Sequence, residues 1–228
     1  MSRFAGAIRR AIKSPRDFGR AVRYRNGPPR LRNLDRLISK FKPQTIVEIG
    51  VWRGQTARRM IRAAVKERRD VRYWGFDLFE GLSDDVLNRD ASLTAFVAAT
   101  PSRLSTVAEI AHDLEGLGAI VTLVPGDSTK TVPSTELPPI DFAFIDGGHT
   151  YETVAADWSN IKPKLAAQAV VVFDDYTNAE AQLQEDFGVT TLIEQLRADH
   201  RVELLDPVDE FHRPYGKLKT RLALITMA

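Results

Sequence analysis

Two short segments carry side chains able to bind a cation or move a proton. One is Ile145-Asp146-Gly147-Gly148-His149-Thr150-Tyr151, the other Phe173-Asp174-Asp175-Tyr176. Each follows an apolar run, so Asp146, His149, Asp174 and Asp175 are expected in neighbouring loops on one rim of a sheet. Carboxylates crowded at a buried rim repel, and they are costly unless protonated or bridged by a cation. Three carboxylates, Asp146, Asp174 and Asp175, form a donor set for a hard divalent ion, Mg²⁺ or a similar one. Simpler roles exist for the same residues. Asp174 and Asp175 can cap a following helix, and His149 can make a structural hydrogen bond.

Three further segments follow apolar runs. Val47-Glu48-Ile49-Gly50-Val51-Trp52-Arg53-Gly54 has the form E-x-G-x-x-x-G. Gly50 lets backbone approach a ligand, and Gly54 opens a helix near its positive end. A dinucleotide loop would carry a glycine where Trp52 stands, so the loop suits the methionyl part of S-adenosylmethionine better than a pyrophosphate. A tight turn in any α/β protein is the alternative. Phe76-Asp77-Leu78-Phe79 ends the second run, and Asp77 is placed to accept both ribose hydroxyls of an adenosine. Gly126-Asp127-Ser128 ends the third. Asp127 can accept from an adenine amino group with Ser128 beside it, although Asp-Ser is also a common turn pair. Glu48, Gly50, Gly54, Asp77, Phe79, Asp127 and Ser128 are therefore the expected cofactor residues.

Positioning these loops requires strands that alternate with helices. β-rich apolar runs occur at 45–51, 73–79, 120–124, 141–145, 169–173, 202–205 and 221–227. Helical segments are expected at about 56–67, 84–98, 105–117, 151–165 and 189–198. This order implies right-handed crossovers and a mainly parallel sheet. The last two strands are joined by 206–220 without a helix, which favours an antiparallel hairpin. The expected fold is α/β: a Rossmann-like, doubly wound, seven-stranded methyltransferase sheet with a C-terminal antiparallel hairpin.

Composition narrows the class. The 228 residues suffice for one α/β domain with a full core. No apolar run approaches the roughly 18–20 residues of a membrane helix. The chain has no cysteine, which excludes disulfides and thiolate chemistry and fits a cytoplasmic location. Net charge is +2, but residues 1–32 hold ten Lys/Arg and one acid, leaving 22 basic and 29 acidic residues in the remainder. Residues 1–32 are therefore read as a basic N-terminal arm and 33–228 as the domain. An acidic body argues against nucleic acid as a partner. The surplus arm suggests a surface for a second copy of the chain.

In order and spacing, the segments Glu48–Gly54, Phe76–Leu82, Gly126–Ser128, Ile145–Tyr151 and Phe173–Tyr176 resemble the metal-dependent, macrocin-type sugar O-methyltransferases. These belong to the class I S-adenosylmethionine-dependent methyltransferases. The resemblance runs from about Thr45 to Tyr176. It implies S-adenosyl-L-methionine as cofactor, a divalent metal held by Asp146, Asp174 and Asp175, and His149 as general base. Asp146 takes the base role in relatives that lack this His. The implied reaction is methylation of a hydroxyl on a sugar, with a small-molecule or oligosaccharide acceptor. A catechol-like acceptor, an RNA methyltransferase using the arm, a hydroxylase on the same fold and a non-catalytic nucleotide-binding protein are the alternatives.

Overall fold

The structure, a computed structural model, describes residues 27–89, 105–177, 188–211 and 218–227. Its elements in chain order are α1 (Arg32–Phe41), β1 (Thr45–Ile49), α2 (Gln55–Glu67), β2 (Arg72–Asp77), α3 (Asp84–Arg89), α4 (Val107–Leu114), β3 (Ile120–Pro125), α5 (Ser128–Ser134), β4 (Ile140–Ile145), α6 (Tyr151–Ile161), β5 (Leu165–Thr177), α7 (Gly188–Leu196), β6 (Val202–Phe211) and β7 (Leu218–Thr226). The seven strands form one sheet in the order β3-β2-β1-β4-β5-β7-β6. β1 to β5 pair in parallel. β7 lies antiparallel between β5 and β6. This is the expected doubly wound methyltransferase sheet with its C-terminal hairpin.

The order reverses between β1 and β4, the switch point beyond which α/β sheets bind ligands. β1 is buried along its whole length because helices cover both faces. On one face, Leu34 and Ile38 of α1, Met60 and Ile61 of α2 and Ile110 of α4 pack against Ile46, Tyr73 and Phe142. On the other, Val154 and Trp158 of α6 and Leu192 and Ile193 of α7 pack against Val47, Ala143 and Phe173.

Two helices lie outside the expected elements. α1 was hidden by its many charges, yet Leu34, Leu37, Ile38 and Phe41 follow the i, i+3, i+4, i+7 pattern of an amphipathic helix. α5 is only seven residues long and contains Pro133, which argues against a helix in sequence; Asp127 caps it. The expected helix at 84–98 is described only as far as Arg89, and its remainder lies outside the described residues. The expected strand at 73–79 ends at Asp77, and Phe79 falls in a 3₁₀ turn.

The boundary of the arm also moves. Arg30 and Leu31, counted with the arm, are buried in the domain at 6% and 9% exposure. Pro28 starts a 3₁₀ turn, Pro29–Leu31, that runs directly into α1. Arg30 N–H donates to Asp209 on β6, and the Asn33 amide donates to the Asp206 carbonyl. The domain therefore includes residues from about Gly27, because the turn before α1 is tied to the far edge of the sheet. A chain beginning at Asn33 should melt well below one beginning at Gly27. Losing Arg30 strands a buried carboxylate, at a cost of about 3–5 kcal/mol. Thermal unfolding followed by circular dichroism checks this, and equal midpoints would return the turn to the arm.

Candidate active site

Neighbouring residues on a strand point to opposite faces, so Asp174 and Asp175 cannot both face one rim from a regular strand. β5 solves this with an irregularity: its pairing with β7 shifts register between Phe173 and Tyr176. Asp175 sits in the left-handed region at φ 57°, a conformation that costs an L-residue roughly 1–2 kcal/mol. The break turns both acids towards one group, the guanidinium of Arg30. Neither caps a described helix; their partners are Arg30, His149 and Thr220.

Arg30 Nε and Nη2 donate to the two oxygens of Asp174 at 2.6 and 2.7 Å. Nη2 lies 3.6 Å from Asp175 Oδ1, and Nη1 lies 3.3 Å from Asp209 Oδ2. Asp174 Oδ1 also accepts from the Asp175 N–H at 2.8 Å. Burial opposes the charge on Arg30, but Asp174 and Asp175 hold its pKa above the usual range. Burial outweighs Arg30 and, with the charge of Asp175, leaves the Asp174 carboxyl above its ordinary value, yet the planar two-point fork on both its oxygens is the geometry of an ion pair.

His149 Nε2 lies 3.0 Å from Asp175 Oδ2. The other oxygen of Asp175 accepts from the Thr220 hydroxyl at 3.2 Å. Burial raises Asp175, but the bond and charge of His149, with Arg30 and Thr220, outweigh it and leave the carboxyl below its ordinary value. Asp146 behaves oppositely. Burial first, then the charges of Asp174 and Asp175, push it well above the carboxylate range despite Arg30 and His149. Asp146, Gly147, Gly148, His149, Asp174 and Asp175 line one small cleft. The four rim residues expected from the sequence are thus brought together.

The ligand set expected for a divalent ion does not fit this arrangement. Both Asp174 oxygens are engaged by Arg30, and one of them also by a backbone N–H. Asp175 is shared between His149 and Thr220. Among the described residues, no group of three or more acidic or His side chains is arranged to hold an ion. The cation that offsets these carboxylates is a side chain.

The cofactor residues cluster around the β1–α2 loop. Gly50 has φ 88°, and a Cβ there would lie 1.9 Å from the Asp146 carbonyl oxygen. Only glycine allows the loops after β1 and β4 to cross this closely. Gly54 has φ 69° and caps α2. Asp77 braces the loop, with Oδ2 accepting from the Val51 and Trp52 N–H groups, both at 2.7 Å. Its Oδ1 accepts from Phe79 N–H at 2.8 Å and keeps acceptor capacity for a ligand. Glu48 is wholly buried beneath the loop and lines no open surface. Tyr73 donates to Glu48 Oε2, and Oε1 is buried without a hydrogen-bond partner. The close crossing at Gly50, with Asp77 bracing the loop and keeping acceptor capacity, fits the polar ends of S-adenosylmethionine.

Other expected cofactor residues have structural partners. Phe79 is packed in the core with Val51 and Ile110. Asp127 caps α5, accepting from the Thr129 N–H and hydroxyl at 3.0 and 2.7 Å. Burial acts to raise Asp127, and these bonds, with Lys130, bring it below its usual value. Ser128 begins α5 and stands beside Asp157, a buried acid raised to about 7 by burial, against Ser128. Reading the sequence missed Arg30, Asp157, Asp209 and Thr220. Arg30 carried one signal: it follows Gly27-Pro28-Pro29 and immediately precedes the apolar pattern of α1.

A family model described as a methyltransferase domain matches residues 47–176. The chain belongs to this methyltransferase-domain family. It is 27% identical over 164 residues to demethyldecarbamoylnovobiocin O-methyltransferase of Streptomyces niveus, a match spanning 66% of this chain and 61% of that relative. Among solved structures, it is similar to the O-methyltransferase TomG from Streptomyces achromogenes in complex with SAM, with a TM-score of 0.60 and 17% identity over 89% of this chain and 81% of that one. The O-methyltransferase NovP gives a TM-score of 0.60 and 20% identity over 87% and 79%. An O-methyltransferase from Bacillus cereus in complex with SAH gives 0.57 and 15% over 88% and 81%. At these identities the structures establish the shared fold.

Within this family fold, Glu48 makes stability depend on pH. Burial chiefly, opposed by the Tyr73 bond and assisted by Asp77, raises its carboxyl to about 8. Between an unfolded value near 4.5 and about 8, the unfolded chain releases a proton that the folded chain keeps. Stability should therefore fall as pH rises through that window and level off above it. Glu48→Gln should remove the Glu48 share of this slope, while Asp146 and Asp157, also raised, keep theirs. Melting curves from pH 5 to 8 should converge towards low pH and separate at high pH, by about 2–4 °C per kcal/mol of linkage. Parallel curves would place the buried charge elsewhere.

Proposed function

We propose that this chain is an S-adenosylmethionine-dependent O-methyltransferase acting on a hydroxyl of a sugar or another small polyhydroxylated acceptor. The observation that carries the reading is the His149–Asp175 pair, which lines one cleft with Asp146, the residue whose carbonyl the Gly50 loop crosses. A proton acceptor thus stands next to the glycine loop that fits the cofactor. The family membership supports methyl transfer, and the O-methyltransferases among its relatives favour oxygen as the nucleophile.

When bound, S-adenosylmethionine supplies an electrophilic methyl group. Asp77, Gly50 and Gly54 shape the loop that holds it, and Glu48 supports that loop from below without reaching its surface. An alcohol is a poor nucleophile at neutral pH, so a base must remove its proton as the oxygen attacks. With Asp175 accepting the Nε2–H of His149, Nδ1, itself buried at the cleft, is the accepting nitrogen. The Asp175 charge then stabilises the imidazolium that forms. The base role falls to His149 rather than Asp146, whose carboxyl is raised well above its ordinary value by burial and by the charges of Asp174 and Asp175. Metal activation is not included here, since Asp174 is committed to Arg30. The acidic body of the chain favours a small acceptor over nucleic acid.

Two measurements test this. Calorimetric titration with S-adenosylhomocysteine should show one site, and Asp77→Ala should weaken it by about 1.5–3 kcal/mol, the range for a hydrogen bond to a charged group. Unchanged affinity would remove Asp77 from the cofactor site. In a methyl-transfer screen over mono- and oligosaccharides, His149→Ala should lose about 10²–10⁴-fold in kcat while S-adenosylhomocysteine binds as before. A near-normal rate would give the base role to another group. Transfer to catechols alone would replace the sugar reading.

A further inference from the structure

We propose that Arg30 is the resident cation of the carboxylate rim, occupying the role of a divalent ion, so that this chain binds no metal there. The statement about the rim rests on the ion-pair geometry. Only its consequence, a transfer that runs without metal, depends on the methyltransferase reading.

Three features support the assignment. The first is geometric. The guanidinium fork covers both oxygens of Asp174 at 2.6 and 2.7 Å, and Asp174 Oδ1 has a second donor in the Asp175 backbone. A Mg²⁺ ion needs oxygens at about 2.0–2.1 Å in an octahedron, with lone pairs directed at the ion. Asp174 has no suitable pair left on Oδ1, and an ion at Oδ2 would stand against the like-charged guanidinium.

The second feature is charge. Arg30 faces Asp174, Asp175 and Asp209 while 6% exposed. A buried Arg is retained only where carboxylates surround it, and buried carboxylates likewise need a cation. Each side meets the requirement of the other. A second cation would have to displace the first.

The third is where the partners come from. Arg30 and Asp209 both lie outside residues 47–176, the stretch matched by the family model. They belong to the turn before α1 and to the edge strand β6, which pack against each other. The cation is thus delivered by a chain segment outside the matched stretch and fastened there by Asp209. A consequence follows for the acceptor. With Arg30 in the place of an ion, activation falls to His149 and Asp175, and a single hydroxyl is sufficient.

The test is titration of the full chain with Mn²⁺, read by the electron paramagnetic resonance of free Mn²⁺. The unaltered chain should bind none at the rim, and neither EDTA nor Mg²⁺ should shift its melting temperature. Arg30→Gln removes the cation and exposes the carboxylates to metal, so it should bind one Mn²⁺ at least about tenfold more tightly than the unaltered chain. Asp174→Asn added to Arg30→Gln should abolish that gain. Should Arg30→Gln fail to fold, it is refolded with Mn²⁺ present. Recovery of the native circular dichroism supports the proposal, and failure to recover overturns it. Tight Mn²⁺ binding by the unaltered chain, or a folded Arg30→Gln that gains no affinity, also overturns it. S-adenosylhomocysteine is titrated into the same samples in EDTA. Its failure to bind would count against the methyltransferase reading and leave the rim assignment standing on the Mn²⁺ result.

Discussion

The active end of this protein is organised around the neutralisation of buried carboxylates. β4 and β5 are apolar strands that end in acids, and such ends are unstable in isolation. A guanidinium held between Asp174, Asp175 and Asp209 resolves the repulsion. It also ties three remote stretches together: the turn before α1, the broken end of β5 and the edge strand β6. A buried ion pair of this kind stabilises less than its distances suggest, because both charges lose water. Its stronger effect is on specificity, since only one arrangement of these segments satisfies all the charges.

That arrangement has chemical consequences. Asp175 must bend out of the strand to reach both Arg30 and His149, and the left-handed backbone there records the cost. The result is an imidazole with a fixed orientation. Asp146 sits in the same field, where burial and the charges of Asp174 and Asp175 raise its carboxyl well above the ordinary range, whereas the bond and charge of His149 bring Asp175 below it.

The cofactor side is governed by backbone. Gly50 lets the loops after β1 and β4 cross, and Asp77 ties the first loop through two backbone N–H groups. Glu48 is buried beneath the same loop, where the absence of water makes ionisation costly. Asp127 and Phe79 illustrate the limit of strand-end reasoning. Both stand where a cofactor residue is expected, yet Asp127 satisfies the start of α5 and Phe79 fills the core.

By itself the sequence determined the alternation of strands and helices, the C-terminal hairpin and the glycine loop. It also placed Asp146, His149, Asp174 and Asp175 on one rim. These features are local: periodicity, turn residues and the ends of apolar runs, all visible within a few positions. Tertiary structure decided which charge meets which. Arg30 is 144 residues from Asp174 and 179 from Asp209 along the chain. Its place after Gly27-Pro28-Pro29 marks it off from the other arginines of the arm but names no partner for it. Its role depends on burial, which removes water and obliges every charge to find a partner, and burial is a property of the folded chain.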